Sequence, residues 1–295
     1  MLTFHITNNL PVNTFTIQSY SRGKLNLSLT TWRKIKHTGS ITLNGRLASP
    51  KDFVCPGDVL TFDYPEINRL EPSDEFLDIA YEDAYLLIVN KPAGLLVHPT
   101  SNQLELTLGN HIIGHYRRHL ESQSFHPVHR LDRNTSGLIL IAKNPYIQQQ
   151  LSGKFAIFFT RSYLALVHGL IQKDGSINAP IGRKPGSIIE RMITKDGQQS
   201  RTSYKVVRKF LNATLLSLSL ETGRTHQIRV HLAHIGHPLL GDDLYGGTRN
   251  IIARHALHSA EVTFIHPMSQ IEIHLESPLP ADMISAINEL KPEFF

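Results

Sequence analysis

The chain has a single cysteine, Cys55, among its 295 residues, so no disulfide can form within it and no cysteine pair is present to close a zinc site. Long apolar runs are missing too. No stretch approaches the roughly 18 consecutive apolar residues that a membrane-spanning helix needs. Met1 to Val12 lacks the basic start and continuous apolar segment of a secretion signal, and the expected location is therefore the cytoplasm. Internal repeats and low-complexity tracts are absent, which sets aside solenoid, collagenous and disordered architectures. Ser136 does not stand in a Gly-x-Ser-x-Gly elbow and no triad order suggests itself, which weighs against a serine hydrolase.

What remains is ordinary globular material. The composition, 41% hydrophobic and 19% charged, supports a full-sized core, and the length fits one large domain with one small module. Thirty Lys and Arg against twenty-five Asp and Glu leave a net charge of +5. Such a surplus favours polyanionic partners, because each cation set against a phosphate releases condensed counterions.

Near the N-terminus, Leu29, Trp32 and Ile35 recur at helical spacing, and Gly39 is placed to end that helix. Arg33, Lys34 and Lys36 lie between them, giving three cations on one short helix. Ile41 and Leu43 then lead to Asn44-Gly45, a pair that accepts the positive φ of a tight turn, and Pro56-Gly57-Asp58 turns into a strand from Val59 to Phe62. This order resembles the S4-type RNA-binding module. The resemblance implies a small α/β unit over 1–66 with Arg33, Lys34 and Lys36 facing RNA; a solvated structural cap is the other reading of the same charges. Residues 67–76 read as a linker, since Pro72 and Ser73 discourage regular structure.

From 77 to 295 short apolar runs alternate with helical segments and turns. Tyr85 to Asn90, Gly137 to Ala142, Tyr163 to His168 and Ala213 to Leu220 read as strands. Ile228, Leu232 and Ile235 mark a helix closed by Gly236 and Pro238. Because the rhythm is not a strict βαβ alternation, the expected class is α+β rather than doubly wound.

The segment from His126 to Gly137 holds the most chemistry. Asp132 lies among Arg130, Arg133 and several hydroxyl and amide groups, and neighbouring guanidinium groups favour the ionised acid that can act as nucleophile or base. By itself the pattern is more often an ion pair that stabilises a loop, or a turn former.

Four strings in order decide how it is read. His129-Arg130-Leu131-Asp132-Arg133-Asn134-Thr135-Ser136-Gly137 resembles the signature of RluA-type pseudouridine synthases, which act on large-subunit ribosomal and transfer RNA. Asn90-Lys91-Pro92-Ala93-Gly94-Leu95-Leu96-Val97-His98-Pro99 is similar to that family's opening motif, and Arg161-Ser162-Tyr163-Leu164-Ala165-Leu166-Val167 to its second. Thr222-Gly223-Arg224-Thr225-His226-Gln227-Ile228-Arg229-Val230-His231, continuing to Gly241-Asp242, resembles its third. One departure is visible: Arg161 stands where the family commonly has Lys, which keeps the charge and changes the donor geometry.

The resemblance implies a mixed, largely antiparallel sheet with flanking helices and an isomerisation that breaks the N1–C1′ bond of uridine and rejoins the base through C5. Asp132 would act at the sugar, attacking C1′ or removing the C2′ proton. Arg229 would grip Asp132 with two parallel hydrogen bonds, with Arg224 the rival for that role. Tyr163 would stack on the uracil and help remove the C5 proton. Arg130 would fill the place of the flipped nucleotide, while Lys91 and His98 would be contacts on the rim. No cofactor or metal is expected, RNA is the expected partner, and the chain is expected to be a monomer. Two rivals are weighed: a metal enzyme built on His226, His231, His234 and His237, among the seventeen histidines, and an inactive RNA-binding protein that keeps the fold.

Overall fold

The computed structural model describes residues 1–7, 11, 14–66, 68, 70–99, 105–121, 123–152 and 159–292. Residues 8–10 and 12–13 of the N-terminal part, 67 and 69 of the expected linker, and 100–104, 122, 153–158 and 293–295 of the expected catalytic domain lie outside the described residues.

The N-terminal part is built as its turns require. Ser28 caps the helix Leu29–Thr38 by accepting from the Thr31 amide, and Trp32 and Ile35 are the buried side of that helix. Beyond it a four-stranded antiparallel sheet runs in the order Leu2–His5, Val59–Asp63, Ser40–Leu43 and Arg46–Leu47. Asn44, at φ 52°, makes the turn between the last two strands, and its side chain bonds both the Asp58 carboxylate and the Val59 amide.

The larger part is a ten-stranded sheet. Its main path runs Gly175–Asn178, Arg201–Lys209, Ala213–Leu220, Thr160–His168, Leu257–Ile265, Ser136–Ala142, Leu86–Lys91 and Ile79–Glu82. Among the described residues every pair in it is antiparallel except Ser136–Ala142 against Leu257–Ile265. The helix Leu108–Arg118 lies against one face through Ile112, Ile113 and Tyr116.

Both faces of the central strands are covered, which is why they read as continuous apolar runs and not as alternating ones. Leu87, Val89, Ile139 and Ile141 share a core with that helix and with Tyr163. Leu86, Ile88, Leu138 and Leu140, on the opposite face, share a core with Phe4, Trp32, Ile35 and Phe62. The N-terminal part therefore packs on the rear of the sheet. Phe4 meets Tyr146 edge-on at 5.3 Å, and Gln149 donates to the Asn26 carbonyl at 2.6 Å.

The parallel pair depends on Gly137, at φ +105°, where a Cβ would overlap the backbone of Ser259. Element bounds differ from the sequence reading: the strand around Tyr163 begins earlier, at Thr160, and the helix that carries Ile228 and Leu232 ends at His234 with Ile235 as its cap.

Candidate active site

The residues from Val128 to Thr135 form a loop that enters the strand Ser136–Ala142, and the surrounding structure holds it from three sides. Thr135 Oγ1 meets His255 Nε2 at 2.9 Å, and Arg254 donates to the Asn134 carbonyl at 2.9 Å while its fork grips Asp282 on the C-terminal helix Ala281–Glu289. From the third side Lys91 Nζ donates to the carbonyls of Pro92, Leu95 and Arg133 at 2.8, 2.9 and 3.0 Å.

Lys91 corrects the sequence reading. It is 1% exposed and is not a contact on the rim; its ammonium ties the turn after its own strand to the Asp132 loop. Burial, helped by the charge of Arg254, pushes its pKa down to about 7 although Asp132 pulls the other way.

Arg229 comes from the helix Gln227–His234. Buried Gln227 fixes the start of that helix, accepting from the Thr222 hydroxyl and the Arg224 amide and donating to Arg201 and Thr202. The Arg229 fork does not close on Asp132. It closes on Asp242, with both bonds at 2.7 Å, and the remaining Nη1 reaches Asp132 Oδ2 at 3.2 Å. The reason is steric and positional: Gly241, at φ +74°, lets its loop approach Arg254 where a Cβ would overlap the backbone, and this brings the 1%-exposed Asp242 under the guanidinium. Asp242 thus acts as the anchor of Arg229 and leaves one donor for the Asp132 carboxylate.

Burial raises the Asp132 carboxyl, but the charges of His226, Arg229 and His255, with the Arg229 hydrogen bond, outweigh it and hold the group below the ordinary carboxylate range. Burial also holds His226 below the ordinary imidazole range, so at neutral pH the permanent cation beside Asp132 is Arg229. His226 Nε2 lies 3.9 Å from Asp132 Oδ2.

Asp132 stands where two cavities meet. The first, of about 450 Å³, has Tyr163, Leu131 and Ile228 among its apolar walls and Arg130, Arg161 and Arg224 among its polar ones. The second, of about 420 Å³, opens toward Arg133, Asp243 and Arg249. Asp132 is the one carboxylate lining the first, among the described residues, facing four guanidinium groups. Tyr163 is 4% exposed and belongs to the core as well as to the cavity wall. Burial pushes its phenol up and Asp132 adds to that, against the charge of Arg161 and hydrogen bonding with Ser259 and Arg161, so the hydroxyl keeps its proton at neutral pH.

The other sequence candidates divide. Arg130 and Arg224 are exposed at the cleft, where Arg224 Nε donates to the Gln199 carbonyl at 3.4 Å. Arg33 and Lys36 are exposed on the N-terminal helix. Lys34 is engaged within the protein, 3.6 Å from Glu66 and above the Tyr64 ring at 5.2 Å, so it is not a free RNA contact. His231, weighed as a metal ligand, spends its ring nitrogens on Thr202 Oγ1 at 2.8 Å and the Ala179 carbonyl at 3.0 Å. Among the described residues no three His, Cys, Asp or Glu side chains gather as a metal would need, and no helix is long and apolar enough to cross a membrane.

Residues 85–234 match the family model for RNA pseudouridylate synthase. The chain belongs to that family. The synthase is 41% identical over 278 residues to the uncharacterized RNA pseudouridine synthase YjbO of Bacillus subtilis, spanning 92% of this chain and 98% of that one. It is 36% identical over 272 residues to ribosomal large subunit pseudouridine synthase D of Salmonella typhimurium, spanning 86% and 83% of the two. In structure it is similar to Human RNA Pseudouridylate Synthase Domain Containing 1, with a TM-score of 0.60 and 26% identity over 76% of this chain and 92% of that chain. The α+β class and the largely antiparallel sheet of the synthase agree with its sequence reading. That reading missed four groups near the carboxylate: Asp242, His226 as a neighbour of Asp132, His255 and Tyr245. Asp242 and His226 stood inside the third motif, whereas nothing in the sequence singled out Tyr245.

Proposed function

We propose that the synthase isomerises uridine in structured RNA through Asp132, and that ribosomal RNA is its substrate, as the names of several relatives have it for those proteins. The observation that carries this reading is an ionised carboxylate at the junction of two cavities, one walled by an aromatic ring and both lined by guanidinium groups. Asp132 reaches the sugar. Arg229, held by Asp242, steadies the carboxylate in its charged form. Tyr163 supplies the flat apolar surface for the freed base and, keeping its proton, is a poor acceptor for the C5 hydrogen.

The target atoms are inaccessible in a stacked helix, so the nucleotide is flipped out at a cost of a few kcal/mol, and Arg130 stands where a flat cation can occupy the gap. Arg224 at the cleft and Arg33 and Lys36 on the N-terminal helix meet phosphates. The N-terminal part up to residue 66 serves as an S4-like RNA contact, the chain works as a cytoplasmic monomer, and no cofactor takes part.

The test is tritium release from RNA labelled at uridine C5, with large-subunit ribosomal RNA and transfer RNA transcripts as separate substrates and with chelator present. Wild type releases label from the ribosomal transcript, and folded Asp132→Asn releases none above background. Turnover by Asp132→Asn removes that residue from the mechanism, and release from transfer RNA alone moves the substrate class.

A further inference from the structure

His226 is the least explained group at the carboxylate. Its backbone is left-handed, at φ 58° and ψ 20°, immediately before the helix that carries Arg229. A non-glycine residue there costs about 1–2 kcal/mol, and such strain persists where surrounding contacts impose it. The contacts are visible. The Tyr245 hydroxyl accepts the Arg191 amide at 2.9 Å and lies 2.8 Å from His226 Nδ1. In the arrangement proposed, the phenol, kept protonated by burial, gives its one hydrogen to Nδ1. The neutral ring then carries its proton on Nε2, the nitrogen that stands 3.9 Å from Asp132 Oδ2. That separation is too long for a direct hydrogen bond and leaves the Nε2–H without a hydrogen-bond acceptor among the described residues.

The cleft indicates which substrate atom it meets. Tyr163 lines only the first of the two cavities, whereas Asp132, Arg229 and His226 line both. If the base lies against Tyr163 and the backbone leaves through the second cavity, the ribose sits at the junction. Asp132 works at C1′ or C2′, and the hydroxyl attached there is the 2′-hydroxyl. We propose that His226 is a further substrate-contacting residue, donating its Nε2–H to the 2′-oxygen of the flipped nucleotide and so selecting RNA over DNA at the reacting position. Tyr245 is a positioning residue that fixes the tautomer. This inference rests on the function proposed above.

Only the base turns in the isomerisation, so the ribose contact is present in the product complex and can be read without catalysis. The probe is an RNA fragment on which the wild type forms pseudouridine, synthesised with either pseudouridine or 2′-deoxypseudouridine at the target. Dissociation constants for both oligonucleotides are measured with wild type, His226→Asn and Tyr245→Phe. Asn tolerates the left-handed backbone but is too short to reach the ribose, and Tyr245→Phe keeps the imidazole while removing the hydrogen that sets its tautomer. Wild type should favour the ribose form by about three- to tenfold, the value of one neutral hydrogen bond. The ratio should fall to near one in His226→Asn and to an intermediate value in Tyr245→Phe. A ratio unchanged in folded His226→Asn, or no preference in wild type, overturns the proposal. Sugar pucker cannot mimic the expected result, since it shifts the ratio equally in all three proteins. A wild type that forms pseudouridine in no RNA fails the functional reading itself, which separates that failure from this one.

Discussion

Single residues decide how the carboxylate is held. Asp242 and Arg229 form a buried pair at 2.7 Å, so removing one charge leaves the other short of a partner in a poorly solvated place. Asp242→Asn should lower unfolding stability by about 3 kcal/mol in urea titration and reduce kcat on RNA at least tenfold, with KM changed far less. Equal unfolding curves for variant and wild type would show that Asp242 is not the anchor. Lys91 gives a pH signature. Its pKa falls from 10.5 in the unfolded chain to about 7 in the fold, so between these values the unfolded state binds the extra proton and stability rises with pH. Below about 7 both states are protonated and the slope vanishes. In Lys91→Met this contribution should be gone, which the difference between wild-type and variant urea midpoints across pH 6–11 measures. Lys91 was also legible in principle: it follows Leu87 and Val89 at a spacing of two, on the face that turns inward. A charged residue beside a proline turn suggested the surface instead, and period two proved the stronger rule.

At the scale of elements, the site is made where strands end and loops cross. The loop bearing Asp132 has its shape because Gly137 permits a close parallel approach between Ser136–Ala142 and Leu257–Ile265. Gly137→Ala should cost about 2–4 kcal/mol, the sum of an unfavourable φ and an overlap with backbone that cannot step aside. Denaturant unfolding checks it; a loss under 1 kcal/mol would mean the strands slide apart at little expense. The apolar runs at 85–90 and 137–142 were readable as strands because β-branched and leucine-rich segments of that length bounded by turns have few alternatives. Their neighbours were not readable, since pairing partners such as Gly137 and Ser259 are separated by more than a hundred residues.

For the whole molecule, the main finding is that the N-terminal part shares a core with the rear of the catalytic sheet. Its cations therefore do unequal work. Arg33 and Lys36 face solvent, whereas Lys34 sits against Glu66, whose other oxygen is 2.6 Å from His126 at the entry to the Asp132 loop. Replacing Arg33 and Lys36 together with Ala should reduce the slope of log affinity against log salt by about 1.5–2 in an RNA binding titration. Lys34→Ala should leave that slope unchanged and lower the thermal midpoint instead. Loss of slope in Lys34→Ala would return that lysine to the RNA surface.

The sequence alone determined the chemistry present: a carboxylate among guanidinium groups, an aromatic strand residue, a basic N-terminal helix and strands without βαβ rhythm. These are local facts, fixed by residue type and by spacing within a few turns of chain. Only the tertiary structure decided which arginine donor meets Asp132, that Asp242 takes the fork, that Lys91 turns inward, and which sheet face the N-terminal part covers. Each of those depends on surfaces brought together from distant segments, where close packing and the pairing of buried charge choose among partners that sequence spacing leaves equivalent.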